Sequence, residues 1–283
     1  MIKHFFKKLG FAKRAVFKPL ERKTIQGKFG INYNIVPNSS LDAHIHKDGA
    51  YNDWIASQKL LSFEKNSVFF DIGANVGFLS LIFANRYAPT GRVYCYEPDP
   101  FIFDDLKQNI SLNPNIKNIH VKNIALQGDH LKLTAHLNIR RAVDGDGNEN
   151  RGLSSLCNIN LHKILSVEVQ CSTIDQEVAK MEINRLDFIK IDVEGLEYDV
   201  LKGGHQAILK HFPTILWEAS VVLDRLSNMT NVSDTFNYLQ KMNYCNFAIV
   251  GEDHLEKISS VSEITKDINI IAFHSDKIPA FLK

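Results

Sequence analysis

The feature that most limits what this chain can become is the run Val68-Phe-Phe-Asp-Ile-Gly-Ala-Asn-Val-Gly-Phe-Leu-Ser80. A short β-rich stretch ends in an acid. A glycine turn follows, and apolar residues then recur at helical spacing (Val76, Leu79, Ile82, Phe83). That is a strand, a tight turn and a helix, the opening unit of a nucleotide-cofactor fold. Glycine in such a turn takes dihedrals that a Cβ forbids and lets the backbone lie against a ligand.

The spacing Asp71-x-Gly73-x-Asn75-x-Gly77 narrows the ligand. A dinucleotide fingerprint needs G-x-G-x-x-G, and a phosphate-cradling loop needs a Lys after its last glycine; the run has neither. An acid at the strand end disfavours a phosphate, because two anions would face each other, and suits a cation. A nucleoside without phosphates that is cationic at this end fits, namely S-adenosylmethionine with its ammonium and sulfonium. An ordinary strand–helix turn would also explain a lone glycine pair. The second strand adds weight, since Gly91 to Pro100 reads as a turn, a short strand and Glu97 at its tip. An acid there can accept hydrogen bonds from ribose hydroxyls.

Four strings together, Asp71-Ile-Gly-Ala-Asn-Val-Gly-Phe, Tyr96-Glu-Pro-Asp-Pro, Gly152-Leu-Ser-Ser-Leu and Ile189-Lys-Ile-Asp-Val-Glu-Gly-Leu-Glu, resemble the FkbM-type S-adenosylmethionine-dependent methyltransferase family. The resemblance runs from about Gly49 to Glu218. It implies an α/β fold of the class I methyltransferase (Rossmann-like) type, with a mostly parallel sheet and a C-terminal antiparallel hairpin. It also implies, usually, O-methylation of a sugar, polyketide or similar hydroxylated small molecule. Acceptors differ among members, so no substrate carries over.

Composition is that of an ordinary enzyme. The chain has 283 residues, 45% of them hydrophobic, and a net charge of +1, which argues against disorder and against a global nucleic-acid field. Cys95, Cys157, Cys171 and Cys245 lack C-x-x-C spacing and suit free thiols in a reducing compartment. With no apolar run near the roughly 18 residues of a membrane span and no signal-peptide pattern, a cytoplasmic protein is expected. Charge is uneven: residues 1–23 hold eight basic residues against Glu21, a balance of +7 that leaves −6 for the rest. Phe5, Phe6, Leu9, Phe11 and Phe17 interleave with those charges. Such an arm either packs its Phe residues on the main domain or lies on anionic lipid, at the inner face of a membrane. It could also swap between the subunits of a homodimer. The expected organisation is the arm 1–23, an N-terminal extension 24–66 and a cofactor-binding domain 67–283.

Alternating strands and helices predict a parallel sheet. A strand pair is expected near 24–37 and a helix over 50–63. Core strands are expected near 67–71, 92–96, 118–124, 188–192 and 214–218, and helices near 76–88, 99–111, 196–210 and 231–242. Leu131–Leu137 and Ser166–Cys171 alternate like an antiparallel insertion, and Cys245–Val250 with Ile268–His274 like a closing pair.

Open α/β sheets bind ligands beyond the carboxyl ends of their strands, so each strand tip is a candidate. Asp71 is assigned to the methionine ammonium, directly or through water. Gly73 and Gly77 would bring backbone close to the cofactor, and Asn75 would bond its carboxylate or brace the loop. Glu97 takes the ribose diol, and Asn123-Ile124-Ala125 is the place for adenine. Chemistry belongs at the fourth and fifth tips. Asp192 or Glu194 would take the acceptor's proton, given a pKa raised by burial. Asp192, which also borders the cofactor, and Glu218 end neighbouring strands and could share an oxygen-coordinated Mg²⁺; pairing with Lys190 and Lys202 is the plain alternative. His44-x-His46 resembles a metal pair but lacks a third ligand and reads as a surface or interface feature, His205 or His211 would serve as base only if it faces the cleft, the loop Asp144–Gly152 reads as a flexible cover over the substrate, and Ser154 and Ser155 would either face the acceptor or satisfy a turn. The reading favoured is an O-methyltransferase for a small hydroxylated molecule or a glycan or glycolipid precursor. An NAD(P)-linked oxidoreductase and a non-catalytic partner-binding protein stand as alternatives, and nucleic acid is not an expected partner.

Overall fold

Val68-Phe-Phe-Asp-Ile72 and Phe188-Ile-Lys-Ile191 are apolar on alternate positions of both parities, as strands buried on two faces must be. The computed structural model describes residues 21–37, 39, 42, 45, 49, 61–140, 142–143, 149–150, 152–157, 163–227, 231–250, 254–279 and 282. The arm as far as residue 20, the pair His44 and His46, most of the helix over 50–63 and most of the loop 144–152 lie outside the described residues.

Two strands, β1 (Lys23–Gln26) and β2 (Asn32–Ile35), form the expected antiparallel pair. Then come β3 (Val68–Ile72), α1 (Phe78–Ile82), β4 (Arg92–Tyr96), α2 (Pro100–Ser111) and β5 (Ile119–Lys122). A small sheet follows, made of β6 (Ala125–Leu126), β7 (Thr134–Arg140) and β10 (Lys163–Ser172), with the short pair β8 (Ala142–Val143) and β9 (Glu149–Asn150) beside it. The chain returns through α3 (Ile174–Lys180) to β11 (Phe188–Ile191), α4 (Glu197–Lys202), α5 (His205–His211) and β12 (Thr214–Ala219). It ends with α6 (Val221–Ser227), α7 (Asn231–Lys241), β13 (Tyr244–Val250), β14 (His254–Ile258) and β15 (Ile268–His274).

The main sheet has eight strands in the order β14-β13-β15-β12-β11-β3-β4-β5. The five from β12 to β5 are parallel, and β15 runs antiparallel to both β12 and β13. Alternation along each strand splits the core in two. Phe69, Val93, Phe188 and Leu216 pack on one face with α1, while Phe70, Tyr94, Ile189 and Trp217 pack on the other with α3, α5 and α7. Helix starts follow local chemistry: Asp99 caps α2 by accepting the Phe101 and Ile102 amides, with Pro100 at the first helical position. Thr173 caps α3 through the Gln176 amide.

Three expectations change in detail. The closing strands β13 and β15 pair as expected, but β14 lies between them in sequence and takes the outer edge. The helix expected over 196–210 is two helices, broken at Gly203-Gly204 where the backbone passes against Gln127 and Ile174. The helix expected over 76–88 is α-helical only to Ile82 and continues as a π-turn through Phe83–Tyr87, ahead of Pro89.

Strand order also places the site. From β3 the chain moves outward to β4 and β5, then returns to the opposite side of β3 as β11 and β12. The crevice between the carboxyl ends of β3 and β11 is therefore the point where strand order reverses, the usual ligand position in such sheets.

Candidate active site

A cavity of about 300 Å³ opens at that reversal, beyond the carboxyl ends of β3, β4, β11 and β12. Its walls bring together Asp71, Gly73, Asn75 and Glu97 from the first two strand tips with Asp192, Glu194 and Glu218 from the last two. Ile124, Ala125 and Leu126 close a third side.

The glycine turn is fixed by backbone. The Gly73 and Ala74 amides both donate to Tyr96 O at 3.0 Å. Gly73 has φ +74°, and a Cβ there would sit 1.8 Å from Asp192 O. No other residue fits, because the turn lies directly on the loop after β11. Asn75 takes the left-handed region (φ 52°), as Asn tolerates better than most residues, and its side chain accepts the Val76 amide. Its own amide donates to Glu97 Oε2 at 2.8 Å, while Asp99 N donates to Glu97 Oε1 at 2.8 Å. Glu97 is thus aimed by two amides and keeps further lone pairs for a ligand. Burial, then the charge of Asp99, pushes its pKa up to about 8.

Asp71 is fully buried under the same wall. Ser80 Oγ donates to its Oδ2 at 2.5 Å, and Lys190 Nζ stands 3.6 Å from its Oδ1. Register explains the pairing, since Lys190 lies opposite Asp71 on adjacent strands. Lys190 also donates to Gly73 O at 2.6 Å and lies 3.3 Å from Asp192 Oδ2.

At the other end, ligand atoms of Asp192, Glu194 and Glu218 lie within 4.8 Å of one another. Glu194 holds a left-handed backbone (φ 58°) followed by Gly195 (φ 99°). That strained turn is held from both sides. Buried Glu197 accepts Val193 N at 3.1 Å and Gly195 N at 3.2 Å through Oε1, and Asn231 Nδ2 at 2.6 Å through Oε2. From above, Ser155 Oγ donates to Glu194 O at 2.9 Å. Burial first, then Asp192, Glu218 and Glu197, push the Glu194 carboxyl well above its ordinary range, against a lowering by Arg140. Glu218 is pushed up to about 8, by Asp192 first and burial second.

Two expected contacts move elsewhere. Asn123 does not line the cavity: its side chain donates to Glu97 O at 2.8 Å and Pro98 O at 3.1 Å, so it braces the loop, while Ile124 and Ala125 reach the wall. Gly77 does not line it either; its φ of +84° starts α1, and a Cβ would meet Leu106 Cδ1 at 2.4 Å, so its smallness serves helix packing. Ser154 donates to Asp99 and Ser155 to the Glu194 turn, so both hydroxyls tie loops together. His205 and His211 are not among the residues lining the cavity. Sequence reasoning missed the roles of Lys190, Glu197 and Arg140. A lysine interrupting an apolar strand was the one visible signal, and its register against Asp71 could not be read without the pairing.

A family model for the methyltransferase FkbM domain matches residues 71–249. The chain is 25% identical to the methyltransferase sdnD of Sordaria araneosa over 179 residues, 55% of this chain and 68% of that protein. It is 26% identical to the hexuronic acid methyltransferase AglP of Haloferax volcanii over 148 residues, 51% of this chain and 53% of that protein. A solved FkbM methyltransferase from Methylobacillus flagellatus aligns at 19% identity with a TM-score of 0.46, covering 76% of this chain and 45% of that one. Matched over well more than half of its residues, from the Asp71 strand tip into β13, the chain belongs to the FkbM family of S-adenosylmethionine-dependent methyltransferases.

Proposed function

We propose that the protein transfers the methyl group of S-adenosylmethionine to a hydroxyl of a small molecule or of a glycan or glycolipid precursor. The observation that carries this reading is the division of one cavity into two chemically different ends. One end has an acceptor carboxyl aimed by two amides (Glu97), a backbone turn at Gly73 and an apolar wall at Ile124 and Leu126. That set suits a ribose diol, an amino-acid backbone and a flat base. The other end has three carboxylates around a strained, braced turn.

S-Adenosylmethionine, when bound, supplies an electrophilic methyl on a positively charged sulfur. The chain's own residues do the rest. Glu97 accepts hydrogen bonds from the ribose, and Ile124 with Leu126 packs the base. Asp192, at the junction of the two ends, faces the positive charge. Glu194 in its ionised form, a stronger base than an ordinary carboxylate because burial and its neighbours raise its pKa, receives the proton that the acceptor hydroxyl gives up. Fixing both partners in one cavity replaces an encounter in solution, which is a large part of the acceleration available to such a reaction. Support for a glycan acceptor comes from the relative named for hexuronic acid.

A second reading rests on the closeness of Asp192, Glu194 and Glu218. Three carboxylates at this spacing suit a hard divalent cation such as Mg²⁺, which would lower the acceptor hydroxyl's pKa. Dialysis against EDTA separates the two: lost turnover restored by Mg²⁺ supports the cation, and unchanged turnover removes it.

Methyl-labelled S-adenosylmethionine incubated with the protein, free uronic acids and fractionated glycolipid extract tests the main reading. Label in an alkali-stable ether is the expected product. Label that alkali releases as methanol would mark a carboxyl ester and overturn the hydroxyl assignment.

A further inference from the structure

The cavity wall contains a cation that the family comparison does not explain. Lys190 is 5% exposed, yet it stands between two carboxylates and a carbonyl: Asp71 Oδ1 at 3.6 Å, Asp192 Oδ2 at 3.3 Å and Gly73 O at 2.6 Å. These three partners belong to different parts of the site. Asp71 is the next-to-last residue of β3 beneath the wall, Gly73 makes the turn on the cofactor side, and Asp192 opens the loop that carries Glu194. A single ammonium therefore ties the cofactor end to the acceptor end. The tie is reinforced by backbone, since the Asp192 amide donates to Ile72 O at 3.1 Å and Gly73 lies directly on Asp192 O.

Asp71 has little freedom to do anything else. It is 0% exposed, its Oδ2 is taken by Ser80, and its Oδ1 faces Lys190. Removing the charge of a buried pair from one side leaves the other uncompensated, which is costly. A buried charge beside a ligand also acts through a lower effective dielectric than water, so one unit of charge is felt strongly at the ligand.

We propose that Lys190 is a positioning residue: with Asp71 as its buried counter-ion, it holds Gly73 against Asp192 and sets the local charge that the donor's sulfonium meets. This inference rests on the cofactor reading given above. It assigns Asp71 to Lys190, and leaves Asp192 as the carboxylate that faces the donor's positive charge.

Calorimetric titration with S-adenosylmethionine and with S-adenosylhomocysteine tests it, because the two differ by the methyl group and by the positive charge on sulfur. A purely structural role would weaken both compounds equally. In Lys190→Met the wall becomes more negative by one charge, and the affinity ratio shifts toward S-adenosylmethionine by roughly five-fold or more. In Asp71→Asn, which keeps the side-chain shape and an oxygen for Ser80, the ratio shifts by a similar factor toward S-adenosylhomocysteine. The second variant carries the test if the first does not fold. A ratio within two-fold of wild type in the variants that fold overturns the proposal. Wild-type protein that binds neither compound overturns the cofactor reading itself, so the two failures are distinct.

Discussion

Replacing Glu218 by Gln removes a carboxyl that the fold holds in its protonated form up to about pH 8, because Asp192 and burial both oppose its charge. The ordinary value is 4.5, so the folded protein binds this proton more tightly than the unfolded chain does. The stability it contributes is fully present below pH 4.5 and is lost as pH rises through 8. At about 1.4 kcal/mol per pH unit, the whole shift corresponds to about 5 kcal/mol between those limits. Glu194 and Glu218 share that titration, so about 2 kcal/mol falls to Glu218 alone. The Gln variant should then have a flatter stability curve. Relative to wild type it should gain about 2–5 kcal/mol on going from pH 4.5 to pH 8.5, or on the order of 4 °C or more in Tm. Urea unfolding at four pH values, with unchanged slope, measures this directly. Wild-type and variant curves that run parallel across that range would show that Glu218 is not held protonated by its neighbours, and the electrostatic picture of the acceptor end would fail with it. The same variant should keep its affinity for S-adenosylhomocysteine within a few-fold, since Glu218 lies at the acceptor end.

Gly73→Ala puts a Cβ 1.8 Å from Asp192 O at a φ of +74°, so it should cost about 3 kcal/mol and abolish cofactor binding; wild-type-like calorimetry would contradict the tight contact. Glu197→Ala strips the acceptor from the Val193 and Gly195 amides and from Asn231, and should cost about 3 kcal/mol, seen as a fall of roughly 6–12 °C in Tm. Glu197→Gln, which keeps one oxygen for both the Val193 and Gly195 amides and sets its NH2 against Asn231 Nδ2, should lose about half as much in the same melting experiment.

The parallel core was legible because strands buried on both faces read as apolar runs, and the acids at their tips interrupted those runs where the chain turned. The antiparallel pairing of β7 with β10 was legible in the alternation of Leu137 and Val167, which face each other in the register. Break points were less so. Nothing in Gly203-Gly204 alone distinguishes a tolerated helical glycine from a helix boundary, because the cause is the Gln127 backbone, 76 residues away in sequence, pressing on Gly203. No helix among the described residues is long and apolar enough to cross a membrane. None of the four cysteines forms a disulfide, and three of them are buried.

At the site, residue types at strand tips located Glu97, Asp192 and Glu218 because tip position is a property of the local pattern. Roles that depend on a partner far away in sequence stayed hidden. Lys190 needs its register with Asp71, 119 residues apart, before it reads as anything but an oddity in a strand. Glu197 needs Asn231, which only α7 brings near. Asn123 and Gly77 show the converse: a suitable residue at a suitable place can be taken by the scaffold, one by the carbonyls of Glu97 and Pro98 and the other by Leu106.

Titration of S-adenosylhomocysteine into wild-type protein, Glu97→Gln and Glu194→Gln probes the division of the cavity most directly. One equivalent should bind wild type, Glu97→Gln should bind roughly 30-fold or more weakly because its NH2 opposes the Asn75 or Asp99 amide and turns the remaining acceptor away from the ribose, and Glu194→Gln should stay within three-fold of wild type. Equal binding by all three proteins, or equal loss in both variants, would mean that the cavity is not split into a nucleoside end and a proton-accepting end.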